Sequence, residues 1–247
     1  MPKNSVRAFK IAKVKTPCID TYCEEGWHRH DVARLLGGND NIGIELGVAK
    51  GIFSKRMLES GKFKRFYGVD LYEDIHNTEE YLNTLKYLDH TDPNYSLLRM
   101  DFDSALHLFD DNFFDFVYVD GFAHTGEEGG KTLINWLDKV KPGGILAGDD
   151  YDENWPLVVW AVNDLARKLG VNVGLTTRTE EQDYCKYPTW WIKKPIKYSK
   201  PEVDPELYKL GMLEKARIHK KRLDSRRRKR MRMKIAKLLG FQIKKSH

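Results

Sequence analysis

Short apolar segments alternate with helical segments along most of the chain, and this alternation constrains the fold more than any other sequence feature. Seven apolar segments between residues 42 and 192 have the length of strands, and helical stretches with short loops join most of them. Such alternation is typical of a doubly wound, mainly parallel α/β sheet with helices on both faces. We predict strands at 42–46, 66–71, 96–100, 114–119, 145–147, 171–176 and 187–192, with the last two antiparallel at one edge of the sheet.

The charge of the chain is unevenly distributed. The 247 residues carry a formal net charge of +6, but residues 214–247 hold fifteen of the 42 Lys and Arg and only two of the 36 Asp and Glu. This tail therefore has a net charge of +13, and the rest of the chain has −7. An argument from charge to an anionic partner consequently applies to the tail alone.

The lengths of the apolar runs and the number of cysteines indicate the cellular compartment of the protein. No apolar run approaches the roughly 20 residues needed to span a bilayer, and the N-terminus lacks the apolar stretch of a signal peptide. The three cysteines are an odd number and fit a reducing compartment better than a disulfide framework. We therefore expect a cytoplasmic protein.

The loop Glu45-Leu46-Gly47-Val48-Ala49-Lys50-Gly51 lies where the first predicted strand ends and a helix begins. Glycines there permit positive φ and let a ligand approach the backbone, and the helix start offers free N–H groups. About 20 residues later, Asp70 ends the next strand, where a carboxylate can accept hydrogen bonds from ribose hydroxyls. These features indicate a nucleotide-type ligand. The missing third glycine and the acid Glu45 disfavour a pyrophosphate, and they favour the positively charged S-adenosylmethionine (SAM) over NAD.

Further motifs follow the glycine loop in order: Gly68-Val69-Asp70, Asp101-Phe102, Phe114-Asp115-Phe116-Val117-Tyr118-Val119-Asp120-Gly121, Lys141-Pro142-Gly143-Gly144 and Gly148-Asp149-Asp150-Tyr151. With these motifs, residues 42–193 resemble class I SAM-dependent methyltransferases. The resemblance is strongest to small O-methyltransferase-like members associated with sugar or natural-product modification. It implies a Rossmann-like α/β fold and SAM as the cofactor.

The resemblance also implies which residues bind the cofactor. Glu45, Gly47 and Gly51 would line the methionine end of SAM. Asp70 would bind the ribose, and Asp101 would reach the adenine amine. The full predicted cofactor-binding set is Glu45, Gly47, Val48, Gly51, Asp70, Leu71, Asp101, Phe102 and Asp120.

Three acids, Asp120, Asp149 and Asp150, follow the fourth and fifth predicted strands, at the edge where open α/β sheets bind ligands. Convergent carboxylates repel one another unless a cation lies between them, and oxygen ligands suit Mg²⁺ or another divalent cation. The resemblance to metal-dependent O-methyltransferases supports this prediction of a three-aspartate metal site. In the alternative interpretation, Asp150 caps a loop and Asp120 accepts hydrogen bonds from backbone amides around SAM.

His124, four residues after Asp120, is the predicted base. A histidine near neutral pKa can take the proton from an acceptor hydroxyl. Relatives often have a histidine three residues after the aspartate, so this loop holds one residue more. The predicted catalytic set is His124, Asp120 and Asp150. Glu127 and Glu128 are alternative bases, although acids are also favoured in the first turn of a helix.

We divide the chain into four segments. Residues 1–38 form an N-terminal segment and candidate lid, and residues 39–194 form the SAM-binding domain. Residues 195–213 are a proline-containing linker, and residues 214–247 are a basic amphipathic tail.

Four apolar residues of the tail, Met231, Ile235, Leu238 and Leu239, fall on one face of a helix. A basic amphipathic helix is typical of peripheral membrane elements, so we expect contact with an anionic inner membrane surface. Binding of nucleic acid and packing on a partner subunit are the alternatives. The single aromatic residue of the tail, Phe241, disfavours the base stacking that nucleic-acid binding uses.

The predicted function is SAM-dependent methylation of a hydroxyl on a sugar, a glycan or another small molecule, with a divalent cation as a candidate second cofactor. Two alternatives stay open. One is a nucleic-acid (RNA) methyltransferase that uses the basic tail, and the other is a non-catalytic binding protein on the same fold. The sequence indicates neither the acceptor nor the oligomeric state.

Overall fold

The computed structural model describes residues 5–73, 76–179 and 184–238. Its strands are β1 (Thr21–Glu24), β2 (Asn41–Leu46), β3 (Phe63–Asp70), β4 (Tyr95–Arg99), β5 (Phe114–Val119), β6 (Val140–Gly148), β7 (Val173–Thr176) and β8 (Trp190–Lys193). They form one eight-stranded sheet in the order β1-β7-β8-β6-β5-β2-β3-β4.

Strand direction in the sheet agrees with the sequence prediction. Only β8 runs antiparallel, to both β6 and β7, and all other pairings are parallel. The doubly wound, mostly parallel α/β fold with an antiparallel strand towards one edge is therefore confirmed. The count of seven strands is one too low, because β1 extends the sheet beside β7. β1 has only four residues with mostly exposed side chains, so the sequence carried no hydrophobic alternation to reveal it.

The α-helices are α1 (Val6–Lys15), α2 (Ile52–Glu59), α3 (Thr78–Tyr87), α4 (Phe102–Ala105), α5 (Gly126–Gly129), α6 (Lys131–Lys139), α7 (Pro156–Leu169) and α8 (Pro205–Leu238). Three short 3₁₀ helices lie at Arg29–Leu35, Leu106–Leu108 and Ala123–Thr125.

Helices cover both faces of the sheet and bury two apolar cores. Strand β5 shows the arrangement best, since Val117 and Val119 enter one core and Phe116 and Tyr118 enter the other. A strand covered on both faces is apolar along its whole length, which is the pattern of this strand. Both faces of the sheet are therefore covered by packed side chains. The carboxyl ends of the parallel strands form one common edge.

A topological switch point lies between β2 and β5. The chain passes from β2 to β3 and β4 on one side, and then crosses to β5 on the other side of β2. In open α/β sheets, ligands bind in the crevice outside the carboxyl ends at such a point. Here the backbone N–H of Asp120, just after β5, donates to the carbonyl of Leu46 at the end of β2, at 2.8 Å.

Helix α8 has two parts with different surroundings. Near its start, Leu207 and Leu210 are buried against the domain, as is Glu214. From His219 to Met233 the side chains that the structure describes are exposed or half-exposed. The predicted linker and tail, which meet at residue 214, thus share one helix. Of the predicted apolar face, Leu239 lies outside the described residues, as do the side chains of Ile235 and Leu238.

None of the helices in the described parts of the chain, α8 included, is both long and apolar enough to cross a bilayer.

Candidate active site

The glycine loop brings the backbone of β2 very close to the segment after β5. Gly47 has a φ of +97°, and a Cβ atom there would lie 2.0 Å from the carbonyl oxygen of Asp120. Gly51, with a φ of +76°, precedes α2, and a Cβ atom there would meet the side chain of Leu88. Both positions therefore require glycine, because of the positive φ and the close approach of neighbouring atoms.

Asp70, at the end of β3, holds the glycine loop in place. Its Oδ2 accepts a hydrogen bond from the Ala49 N–H at 2.9 Å, and its Oδ1 accepts one from the Tyr72 N–H at 3.0 Å. The Tyr72 hydroxyl in turn donates to the Ala49 carbonyl at 2.8 Å. An ionised carboxylate offers about four acceptor positions, so Asp70 can still receive ribose hydroxyls. Its predicted role is compatible with this geometry and stays a prediction.

The Glu45 side chain is buried in the domain, although the sequence predicted that it would line the methionine end of SAM. It accepts a hydrogen bond from the Ser54 hydroxyl of α2. Burial raises the pKa of Glu45 to about 8, although the hydrogen bond from Ser54 opposes this shift. Glu45 is therefore mostly neutral at pH 7, and it does not supply the fixed negative charge that the sequence argument for SAM assumed.

The remaining predicted cofactor residues differ in their surroundings. Val48 is buried, whereas the Leu71 side chain is 38% exposed and available to a ligand. Asp101 is the N-cap of α4, and it accepts hydrogen bonds from the Ser104 N–H at 2.8 Å and the Ser104 hydroxyl at 2.7 Å. These bonds lower the pKa of Asp101. Phe102 packs directly over Gly121, so the segments after β4 and β5 are in contact.

The acids after β5 and β6 surround a buried arginine that the sequence analysis did not identify. Nη2 of Arg29 lies 2.6 Å from Oδ2 of Asp120, and Nη1 lies 3.3 Å from Oδ2 of Asp149. Nη1 also donates to the Tyr184 carbonyl at 2.8 Å. The Arg29 side chain is only 5% exposed. No local motif marks Arg29, because it comes from the N-terminal segment, where the sequence shows no clear period.

Arg29 changes the interpretation of the three aspartates. They were predicted to bind a divalent cation, but two of them already pair with a guanidinium. Within residues 5–73, 76–179 and 184–238, no group of three His, Cys, Asp or Glu side chains is arranged to hold a metal ion. The structure therefore does not support Asp120, Asp149 and Asp150 as metal ligands. The positive charge that these carboxylates require comes from the chain itself.

Burial controls the protonation of Asp149 and Asp150. It raises the pKa of Asp149 to about 7, although the positive charge of Arg29 opposes this shift. Burial and the neighbouring charges of Asp149 and Asp120 raise the pKa of Asp150 well above its ordinary value. Asp149 can thus hold or release a proton near neutral pH, and Asp150 holds its proton more readily than an ordinary carboxyl group.

His124, the predicted base, lies half-buried in the 3₁₀ helix Ala123–Thr125, in the loop that follows Asp120. Its role as a base stays a prediction. The next residues form an unusual turn. Gly126, Glu127 and Glu128 have φ values of 63°, 48° and 49°, and the Gly130 N–H donates to the Gly126 carbonyl at 2.9 Å. This is one turn of left-handed helix, which costs roughly 1–2 kcal/mol for each non-glycine residue.

The left-handed turn directs its two glutamates to opposite sides. Glu127 is buried and accepts a hydrogen bond from the Phe122 N–H at 3.0 Å, and burial raises its pKa to about 8. Glu128 instead pairs with Lys215 of α8 at 2.8 Å. Glu127 and Glu128 therefore do not lie in the first turn of a right-handed helix, where the sequence analysis placed them. Three glycines within five residues are the sequence signal for such a turn.

Comparison with known proteins identifies the domain. Residues 42–151 match a family model described as a methyltransferase domain. The match covers 110 of the 247 residues, and it supports a SAM-dependent methyltransferase domain over this part of the chain. No curated protein sequence matches the chain. The sugar or natural-product type that the sequence suggested is not supported by the match.

Solved structures agree on the fold of this methyltransferase domain. A SAM-dependent O-methyltransferase from Thermotoga maritima is 12% identical, with a TM-score of 0.51 over 68% of this chain and 64% of that chain. A spermidine synthase from the same organism is 17% identical, with a TM-score of 0.50 over 72% of this chain and 62% of that chain. This chain thus spans less than two thirds of the length of either structure. At these identities the likeness shows a shared fold.

Proposed function

We propose that this protein transfers the methyl group of SAM to a hydroxyl oxygen of a small molecule, with a sugar or glycan as the acceptor class. The observation that carries the proposal is the group of buried and half-buried carboxyl side chains at the edge of the sheet that holds the glycine loop. Asp120 contacts this loop through its backbone, and Asp149 and Asp150 follow the next strand of the sheet. Methylation of a hydroxyl requires a group that accepts its proton, and a carboxylate such as Asp149, whose pKa is raised to about 7, is suited to this purpose.

The cofactor half of the proposed site consists of the glycine loop, Asp70, Leu71 and the Asp101-Phe102 pair. When bound, SAM supplies a methyl group activated by a positively charged sulfonium. The loop backbone at Gly47 receives the methionine end, and Asp70 accepts hydrogen bonds from the ribose.

The acceptor half of the proposed site lies around Asp120, Asp150 and His124. As the acceptor O–H bond breaks, its proton passes to Asp150 or His124. SAM held by the glycine loop and Asp70 would supply the methyl group to the acceptor oxygen, and its sulfur would keep the electron pair of the broken carbon–sulfur bond. The protein contributes position and a proton acceptor, and the segment around Arg29 covers the reacting groups from water. We assign no step to a divalent cation, because Arg29 pairs with two of its predicted ligands.

Calorimetry and a methylation assay test this proposal. SAM is expected to bind and NAD⁺ is not, and transfer to a panel of free sugars, nucleotide sugars and catechol-like diols is followed by release of S-adenosylhomocysteine. The variant Asp120→Asn is expected to lose most turnover. The matched control is Asp115→Asn at the opposite end of β5, where Asp115 pairs with Lys141 at 2.8 Å. Absence of SAM binding at millimolar concentration, or transfer to RNA but to no hydroxyl compound, would refute the proposal.

For the tail, we propose binding to the anionic inner surface of a membrane, with a cytoplasmic location for the domain. Exposed apolar residues lie among its basic ones, including Leu223, Met231 and Met233. However, exposed basic residues such as Lys220, Lys221 and Arg230 lie on different sides of α8, an arrangement that would also suit a nucleic acid. Full-length protein and a chain cut after His219 would be compared with anionic vesicles, neutral vesicles and RNA. Preference for RNA would contradict the membrane proposal.

A further inference from the structure

The structure assigns to Arg29 the place of a divalent cation in the acceptor half of the site, as a positioning residue built into the chain. This inference rests on the proposed methyl transfer, whose acceptor half Arg29 would organise. It predicts a transferase that needs no metal, and it identifies the N-terminal segment as part of the active site.

The first argument is the position of the guanidinium. Asp120 follows β5 and Asp149 follows β6, and Arg29 pairs with both at 2.6 Å and 3.3 Å. The side chains of Asp120 and Asp149 are 27% and 10% exposed. Two carboxylates so close together and so poorly hydrated are stable only with a positive charge between them. Arg29 supplies this charge from the same position in which a metal ion would be expected.

The second argument is how firmly the arginine is held. Its guanidinium carbon lies 5.0 Å, 5.2 Å and 5.1 Å from the ring centres of Phe53, Tyr118 and Tyr184, which surround it as cation–π partners. The hydrogen bond to the Tyr184 carbonyl adds a fixed backbone contact. Such an enclosed arginine is not a mobile surface residue, and its planar fork fixes the directions of the carboxylates that it binds.

The third argument is the donor that remains. Nε of Arg29 is buried and has no hydrogen-bond partner among the described residues. A buried donor without a partner is costly, so the position of Arg29 is not explained by its own hydrogen bonds alone. Arg29 would orient Asp120 and Asp149 with its two terminal nitrogens, and this pairing offsets the cost of the unpartnered Nε. A guanidinium donates hydrogen bonds but, unlike a metal ion, does not bind the acceptor oxygen as a Lewis acid.

The chain offers a matched control for Arg29. Arg34 lies in the same 3₁₀ helix, pairs with Asp31 at 2.9 Å, and has a side chain that is 64% exposed. Replacement of Arg34 by methionine removes the same charge from the same helix but leaves the carboxylates of the site untouched.

The experiment compares the wild type with Arg29→Met, Arg29→Lys and Arg34→Met. Mn²⁺ binding is measured by electron paramagnetic resonance, and methyl transfer is measured with and without a strong chelator. We expect wild-type turnover to be unchanged in chelator, and no tight Mn²⁺ binding. Arg29→Met is expected to lose turnover by about 100-fold, with a much smaller change in SAM affinity. It should also gain Mn²⁺ binding, because its carboxylates lack their cation, and added guanidinium should restore part of its turnover.

Several results would overturn the inference. They are tight Mn²⁺ binding by the wild type, loss of wild-type activity in chelator with recovery on addition of Mg²⁺, and equal turnover in Arg29→Met and Arg34→Met. If Arg29→Met does not fold, the Mn²⁺ and chelator measurements on the wild type still decide the question. If the wild type binds SAM but methylates no acceptor, the proposed function fails. In that case the comparison of Mn²⁺ binding between wild type and Arg29→Met, with Arg29→Lys as the variant that keeps the charge, still tests the role of Arg29.

Discussion

The two halves of the candidate site are built in different ways. On the cofactor side, Asp70 bonds to Ala49, 21 residues away, and Tyr72 bonds to Ala49, 23 residues away. On the acceptor side, Arg29 bonds to Asp120 and to Tyr184, at separations of 91 and 155 residues. The cofactor half is thus a local motif, whereas the acceptor half depends on the whole fold.

The largest expected effect concerns the contact that joins the two halves. Gly47→Ala places a Cβ atom 2.0 Å from the Asp120 carbonyl oxygen, at a backbone φ of +97°. We expect a loss of roughly 3–4 kcal/mol in the free energy of unfolding and at least a ~100-fold loss in SAM affinity. Chemical denaturation and calorimetry measure these two quantities.

Gly61→Ala provides the control for Gly47→Ala. Gly61 has a φ of +67°, but a Cβ atom there meets nothing within 4 Å. This variant should lose only about 1–2 kcal/mol, the cost of the left-handed backbone, and should bind SAM normally. If the two variants lost equal stability and equal SAM affinity, the close approach of Gly47 to Asp120 would contribute to neither.

A second prediction tests how much the stability of the domain and its affinity for SAM depend on Asp70. Asp70→Asn replaces one acceptor oxygen by an NH₂ group that faces a backbone N–H, either that of Ala49 or that of Tyr72. We expect the variant to lose about 2 kcal/mol of stability and between about 10-fold and 100-fold in SAM affinity.

Asp101→Asn makes the same replacement as Asp70→Asn at a second predicted cofactor-binding residue. Asp101 caps α4, and asparagine is an equally good N-cap, so stability should change by less than about 0.5 kcal/mol. A roughly 10-fold loss in SAM affinity would support the predicted contact with the adenine amine. Unchanged affinity would instead limit Asp101 to the structural role that its bonds to Ser104 already show.

The same difference between local and distant contacts explains what the sequence could predict. The alternating pattern predicted seven of the eight strands, and parallel strands bring Gly47 and Asp120 to one edge as expected. Arg29 could not be predicted, since no periodicity marks it and its partners lie far along the chain. The metal prediction lacks support for this reason: the sequence indicated the repulsion between the aspartates, but the structure places the positive charge of Arg29 beside two of them.

Glu127 shows a second limit of sequence interpretation. Acids just before a helix usually lie in its first turn, and this rule placed Glu127 there. Three neighbouring glycines, Gly126, Gly129 and Gly130, permit a left-handed turn instead, and contacts with α8 fix it. A Cβ atom at Gly129 would lie 2.6 Å from the Tyr208 Cα of that helix. The conformation is therefore determined by packing between distant segments as well as by local preference.

The last expected effect is a change in the pH dependence of stability caused by Glu127. Its pKa is about 8 in the folded protein and about 4.5 in the unfolded chain, so the folded state retains a proton that the unfolded state releases. Stability should consequently fall as pH rises from about 4.5 to 8. Glu127→Gln can still accept the hydrogen bond from Phe122, but it does not titrate. The stability of this variant should fall less steeply with pH than that of the wild type. The two slopes should differ by up to about 1.4 kcal/mol per pH unit.

Glu128→Gln separates this effect from the strain of the turn. Both residues have left-handed backbones, but Glu128 pairs with Lys215, whose side chain is 61% exposed, and loss of that pair should cost less than about 1 kcal/mol. Thermal unfolding of the two variants and the wild type at pH 5, 6, 7 and 8 makes the comparison. The Glu128→Gln curve should run parallel to the wild type. If the Glu127→Gln curve did so as well, Glu127 would not hold its proton at neutral pH, and the acceptor half would contain a charge that Arg29 alone does not balance.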